Sequence, residues 1–314
     1  MNDLGEVLVV GAGVIGLTTA IRLTEAGHRV RVRTATPPDR TTSAVAGAMW
    51  GRGPGVQEPA DQIAAWSQAT LAELTRLADD PTSGVRFARG RELTRVAPAP
   101  EPLPGVRDPA RCTDLPDGFV DGYWITVPLV DMPRHLAYLA DRFVAAGGVI
   151  EHGTVDTLTG APIVVNCTGV AARDLVPDPT VRAVRGQHVI VANPGLTEFF
   201  VEETDADTWI SFFPHGDRVV LGGLAGDGDW NQSPDPAEAA AIIARCASVE
   251  PALASAPVLE HLVGLRPGRP VVRVADEMVN GTLVLHNYGH GGMGVTLSWG
   301  CAQMVTELAN QAFR

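Results

Sequence analysis

The 314-residue chain contains no lysine: all 24 of its basic side chains are arginine, against 36 acidic ones, for a formal net charge of −12. Without an ε-amino group there is no Schiff-base chemistry with a carbonyl substrate or pyridoxal phosphate. There is also no Walker-type phosphate loop, whose Gly-Lys-Ser/Thr ending is obligatory. The acidic excess argues against a nucleic-acid partner, which needs a clustered basic face. Cysteine is scarce, with four residues at 112, 167, 246 and 301 and no Cys-x-x-Cys pair, so no metal is expected. These cysteines read as buried thiols, with a Cys246–Cys301 disulfide left open. No apolar run reaches the ~18 residues that a membrane span requires. Neither end reads as a secretory, peroxisomal or ER-retention signal, and a cytoplasmic location is the expectation.

What the chain does contain suits a folded core, since 45% of its residues are hydrophobic and only 19% charged. Glu6-Val-Leu-Val-Val10 reads as a strand buried on both faces of a parallel sheet. It leads into Gly11-Ala-Gly-Val-Ile-Gly16, after which Leu17, Ala20, Ile21 and Leu23 keep helical spacing up to Gly27, and Val30-Arg-Val32 supplies a second strand. This order is a dinucleotide-binding unit, in which glycines permit a tight turn and the helix N-terminus faces a pyrophosphate; it does not separate FAD from NAD. Residues 97–116 are rich in proline and read as loop and edge structure. Further on, residues 132–146, 236–247 and 297–313 read as helices. Strands are expected at 148–152, 163–165, 187–191, 209–213, 218–221, 271–274 and 283–285.

Three more segments are specific: Thr41-Thr-Ser-Ala-Val-Ala-Gly-Ala-Met-Trp50, Val165-Asn-Cys-Thr-Gly-Val170 and His286-Asn-Tyr-Gly-His-Gly-Gly-Met-Gly-Val-Thr296. Together with the glycine loop and Gly264-Leu-Arg-Pro267, the chain resembles the D-amino-acid oxidase family over nearly its whole length. The resemblance implies non-covalent FAD and an α/β fold with two interleaved parts. These are a Rossmann-like FAD-binding domain (residues 1–50, 130–180 and 260–314) and a mostly antiparallel α+β substrate domain (residues 51–129 and 181–259). It also implies hydride transfer from the Cα of a D-amino acid to flavin N5, with O2 as acceptor, giving a 2-oxo acid, ammonia and hydrogen peroxide. A glycine- or sarcosine-type amine oxidase and a flavin-linked dehydrogenase with a partner acceptor are the alternatives. The missing lysine counts against the sarcosine-oxidase pattern. A homodimer is left open.

By the same resemblance, FAD contacts fall to Gly11, Ala12, Gly13, Val14, Ile15 and Gly16, to Thr34 and Ala35, and to Thr41, Thr42, Ser43, Gly47, Ala48 and Met49. Val155, Cys167, Thr168 and Gly169 follow, then His290, Gly291, Gly292, Met293, Gly294, Val295 and Thr296. Arg266 matches the arginine that holds the substrate carboxylate beside the flavin, a task suited to the forked guanidinium. Gly292 is expected to offer its carbonyl to the amine. The amides opening the last helix suit the negative charge of a reduced flavin. His290 is assigned to the flavin wall, because a neutral amine substrate needs no base.

The sequence departs from the family at two places. Where an acid would clamp the adenosine ribose it reads Arg33-Thr34-Ala35, leaving Thr34 or backbone groups for the task. Only Tyr123, Tyr138 and Tyr288 exist, so no phenol stands in Ile210-Ser-Phe-Phe-Pro214 or Gly222-Gly-Leu-Ala225, and Ser211 or a water is left to partner the carboxylate. The aspartate-oxidising branch carries an arginine at about the Ala225 position. Its absence points to neutral or hydrophobic side chains, with Trp50, Trp209, Phe212 and Met293 as candidate walls. Residues 197–209, with Glu202, Glu203, Asp205 and Asp207, read as a short loop that leaves the pocket open.

Overall fold

A computed structural model describes residues 4–53 and 60–312. Residues 1–3 and 313–314, which enter the end-signal readings and the close of the last expected helix, lie outside the described residues. In chain order the strands are β1 (Leu4–Val10), β2 (His28–Thr34), β3 (Val85–Thr94), β4 (Arg107–Arg111), β5 (Asp121–Val130), β6 (Val149–His152), β7 (Ile163–Asn166) and β8 (Arg182–Ala192). They continue with β9 (Phe199–Glu203), β10 (Thr208–His215), β11 (Arg218–Leu224), β12 (Gly226–Asp227), β13 (Val258–Gly268), β14 (Arg273–Val279) and β15 (Thr282–Tyr288). The helices are α1 (Val14–Glu25), α2 (Ala60–Leu77), α3 (Met132–Ala145), α4 (Ala172–Leu175), α5 (Pro236–Ala247) and α6 (Gly294–Ala312).

Local chemistry accounts for several boundaries. Asp131 caps α3 and Asp235 caps α5 by accepting from backbone N–H groups two or three residues on, each just before a first-turn proline whose missing N–H costs nothing there. Helix α3 buries Leu136, Leu139 and Phe143, and α5 buries Ala239, Ile242 and Cys246, each set at helical spacing.

Two sheets organise the chain. A six-stranded sheet has the order β14-β15-β7-β1-β2-β6, parallel except for the antiparallel β14–β15 pair. Its central β1 is buried on both faces, as the apolar run requires. A nine-stranded sheet runs β12-β8-β11-β10-β9-β3-β5-β4 with β13 on the other edge of β8, and β3–β9 is its parallel pair. Both layers join in one core containing Val9, Leu17, Leu129, Phe199 and Trp299.

Tertiary pairing moves some sequence-based boundaries. Strand β13 pairs along its length with β8, so residues 260–268, grouped by sequence with the FAD-binding domain, lie in the nine-stranded sheet. Helix α2 has no counterpart among the helices expected from sequence, although Ile63, Trp66, Thr70, Leu71, Leu74 and Leu77 follow its buried face. It packs on α6 where Gly300 lets the backbones meet, and the Gly300 N–H donates to Thr70 Oγ1 at 3.0 Å. Residues 60–77 therefore sit against the helices covering the six-stranded sheet rather than in the other layer. Glu202 and Glu203 are not in a loop: they end β9, which is hydrogen-bonded to β3 and β10. Glu202 is ion-paired with Arg95 at 2.7 Å, so the acidic run belongs to a hairpin edge rather than a short lid. All four cysteines are free and buried; Cys246 lies in the α5 core and Cys301 in another beneath α2, so the disulfide left open does not form.

Candidate active site

The carboxyl ends of the parallel strands β1, β2, β6 and β7 all open on one cavity of about 750 Å³, as a doubly wound sheet dictates. Its middle is walled by Gly11, Ala12, Gly13, Val14 and Ile15 at the start of α1, by Thr41, Thr42 and Ser43, and by Cys167, Thr168 and Gly169. Gly11 has φ +109°, and a Cβ there would press on the Cys167 carbonyl; Gly16 lies behind it, where a Cβ would strike the Gly11 carbonyl. These glycines bring loop, strand and helix together and leave the helix N-terminus open to the cavity. Ser43 Oγ accepts from the Val14 N–H at 3.0 Å, tying the Thr41–Ser43 segment to that helix start.

The walls fit a large polar cofactor. Among the described residues, Arg33 Nε, Asn287 Oδ1 and His290 Nε2 are buried without a hydrogen-bond partner, and all three residues line this cavity. Buried polar atoms are rarely left unpaired, and three that belong to residues lining one cavity suit a polar occupant there. Burial pushes His290 down to about 3, which keeps it neutral and unsuited to proton transfer at ordinary pH.

One end of the cavity is formed by Arg33, Thr34, Ala35, Gly153, Thr154, Val155 and Asp156. Thr34, expected to substitute for the ribose acid, instead donates to the Thr36 carbonyl at 2.6 Å. The Arg33 guanidinium stands there, its Nε 3.0 Å from where a Gly153 Cβ would be.

At the other end lie Gly186, His188, Gln232, Gly264, Leu265, Arg266, Pro267, His290, Gly291 and Gly292, with Gly294 and Val295 opening α6. Arg266 is on β13, and its guanidinium lies over Gly186, where a Cβ would fall 2.6 Å from both terminal nitrogens. Its Nη1 donates to the Leu224 carbonyl at 2.8 Å, and the Trp209 ring centroid is 5.9 Å away. Among the described residues no carboxylate pairs with it, and burial pushes this guanidinium down to about 10. It lines the cavity. Arg269 and Arg273 point elsewhere, onto Asp178 and Glu277.

Several expected contacts do not line the cavity. On β10 successive side chains alternate: Phe212 faces the α5 core, stacked on Phe200, whereas Ser211 and Phe213 face the other way. Ser211 is buried behind His188, which takes the place expected of it at the cavity wall. Trp50 is fully buried and donates Nε1–H to the Ser67 carbonyl at 2.9 Å; Trp209 reaches Arg266 without lining the cavity. Gly47 is covered by Phe213 and Val220, and residues 48–50 pair with the end of β5. Met49 and Ala48 thus join the core. Met293 turns into the apolar cluster of Ile63, Trp66 and Leu297. Thr296 Oγ1 clasps both backbone groups of Gly51, at 3.0 and 3.2 Å. Arg33, His188, Gln232 and Asn287 are wall residues that the sequence did not single out. For His188 a signal existed: it alternates with Gly186 on β8, facing the same side as Gly264 on β13.

Behind the wall, Asp178 accepts from Thr180 Oγ1 and N–H, from Tyr288 O–H at 2.8 Å and from Arg269 Nε at 3.0 Å. Burial alone would raise its pKa, but these donors hold it well below the usual carboxylate range. A carboxylate depressed in the folded state contributes stability above its unfolded value of about 4, lost as pH falls through the folded value. The stability difference between wild type and Asp178→Asn should therefore be constant above about pH 5 and shrink below about pH 4, as checked by thermal melts across pH.

A parallel sheet whose strand ends and glycine-loop helix start open on one large cavity is the architecture of a nucleotide-cofactor-binding enzyme. The model of the FAD dependent oxidoreductase family matches residues 6–308, and the chain belongs to that family. It is 46% identical to a D-amino-acid oxidase of Rubrobacter xylanophilus, covering 98% of this chain and 97% of the relative. To a D-amino-acid oxidase of Streptomyces coelicolor it is also 46% identical over the same shares, and to a human D-aspartate oxidase 31% over 98% and 96%. In fold it matches a glycine oxidase from Geobacillus kaustophilus with a TM-score of 0.80 at 18% identity, over 98% of this chain and 95% of that one. Among the described residues there is neither a cluster fit to hold a metal nor a helix long and apolar enough to cross a membrane.

Proposed function

We propose that this protein oxidatively deaminates D-amino acids with neutral side chains, using O2 as electron acceptor. The observation that carries this is Arg266, a buried guanidinium that has no carboxylate partner among the described residues and lines the same cavity as Gly292. The relatives named D-amino-acid oxidase support the reaction and stereochemistry. Bound FAD would supply a two-electron acceptor for the hydride leaving Cα and a route for those electrons to O2, which becomes hydrogen peroxide.

The chain's own residues bind and orient. Arg266 holds the α-carboxylate by two parallel N–H donors. The Gly292 carbonyl accepts from the substrate amine, which must be neutral so that its lone pair closes the C=N bond as hydride departs. Amides at the start of α6 favour negative charge on the cofactor side, the task a lysine would otherwise share. His290 with Leu265, Pro267 and Val295 excludes water, leaving the released imino acid to hydrolyse to 2-oxo acid and ammonia. In this reading the six-stranded layer carries the cofactor and the nine-stranded sheet carries the substrate. Neutral side chains are favoured because the arginine that would hold an acidic one has no counterpart at Ala225.

Anaerobic mixing of the holoprotein with paired D- and L-amino acids, followed by flavin absorbance near ~450 nm, tests the proposal. D-alanine and D-valine should bleach the band, L-isomers should not, and readmitted air should yield one peroxide per bleaching. Bleaching by L-isomers alone would overturn it.

A further inference from the structure

We infer that His188 is a specificity residue of this pocket, a neutral imidazole whose bare Nε2 accepts a hydrogen bond from a hydroxyl or amide donor on the substrate side chain. This rests on the deamination reading and refines its substrate class from neutral side chains to neutral side chains that carry a donor.

The placement follows from the sheet. His188 on β8 is paired with Leu262 of β13, and Arg266 lies on β13 beyond Gly264, so imidazole and guanidinium rise from one sheet face into one end of the cavity. Two glycines make room for them, and a third makes room for Val45, the residue whose carbonyl holds the imidazole. A Cβ on Gly186 would collide with the Arg266 guanidinium. A Cβ on Gly264 would collide with Val45. A Cβ on Gly222 would fall 2.5 Å from His188 Cδ2 and 2.8 Å from its Nε2, with Ser211 Oγ 3.2 Å away. The imidazole therefore lies across Gly222 and covers Ser211.

Its protonation is set by geometry. Nδ1 stands 2.6 Å from the Val45 carbonyl oxygen, which can only accept, so Nδ1 carries the hydrogen. In the neutral ring Nε2 is then a bare acceptor, and among the described residues it has no hydrogen-bond partner. Burial, with Arg266 close by, pushes the ring down to about 4 and keeps it neutral. A substrate carboxylate cannot use a bare acceptor and goes to Arg266. What Nε2 can take is a donor, and a side chain without one leaves it buried and unsatisfied, which is the unfavourable outcome. Gln232 and the neutral His290 are further uncharged polar side chains lining this cavity.

The test compares D-threonine with D-valine, which differ by a hydroxyl for a methyl at nearly constant shape. The ratio of their kcat/KM values should fall about fivefold to tenfold in His188→Leu, the scale of one net hydrogen bond. His188→Gln, which can still present an acceptor oxygen, should restore most of the ratio. Loss of packing or of FAD lowers both substrates together and cancels in the ratio, so an unchanged ratio in His188→Leu would overturn the inference. So would a ratio lowered equally by His188→Leu and His188→Gln. Failure of every D-amino acid to bleach the wild-type flavin would instead overturn the deamination reading, and this inference with it.

Discussion

Replacing Arg266 by leucine should lower kcat/KM for the proposed substrates by about two orders of magnitude, mostly through KM. A charge-assisted contact contributes up to about 3 kcal/mol, and each ~1.4 kcal/mol is tenfold. Among the described residues the guanidinium is spent on no ion pair; it meets the Leu224 carbonyl, approaches Arg185 O at 3.5 Å and lies over Trp209. Thermal stability of the substrate-free protein should not fall, since the substitution removes a buried charge without a carboxylate partner. Arg266→Lys should recover only part of the loss, because a point charge cannot make two parallel donor contacts. Steady-state kinetics with D-alanine and a melting curve decide the matter; a KM close to wild type would send the carboxylate elsewhere.

The second large effect is expected at Gly11→Ala. A side chain there adopts φ +109°, outside the range of L-residues, and its Cβ presses on the backbone carbonyl of Cys167. Backbone strain of ~1–3 kcal/mol and overpacking of similar size make a loss of about 3 kcal/mol the expectation. The first strand, the glycine turn and the β7 end all meet at this point, so the loss should appear twice. FAD affinity should fall by more than tenfold in a fluorescence titration, and Tm should drop by several degrees. Gly147→Ala is the comparison, with φ +92° but nothing within 4 Å of the added Cβ. It should cost stability alone and leave FAD affinity near wild type.

How much of the site was legible depends on how far apart in the chain its partners lie. The glycine loop announces itself because strand, turn and helix are consecutive, with Gly16 answering the nearby Gly11 carbonyl and Gly11 the end of the adjacent strand. Helices α3 and α5 are legible from capping aspartates and apolar spacing within one segment. Arg266 was found through a short motif, but its lack of a carboxylate partner could be learned only once β8, β11 and β13 were side by side. Ser211 illustrates the opposite case. It sits on the expected side of β10, yet a histidine 23 residues earlier lies over it because position 222 is glycine.

The sequence by itself determined the chemistry on offer: no lysine, a glycine-lined helix start, an arginine in a Gly-Leu-Arg-Pro segment and only three tyrosines, none of them at residues 210–214 or 222–225. These are properties of residue type and local spacing, which the chain carries whatever its fold. Tertiary structure decided which of those groups face the cavity. Met293 and Thr296 went to the helix layer and the Gly51 clasp, and Phe212 to the far side of its sheet. His188 came to the substrate end instead, because strand register and the empty space over a glycine join residues that no sequence pattern relates.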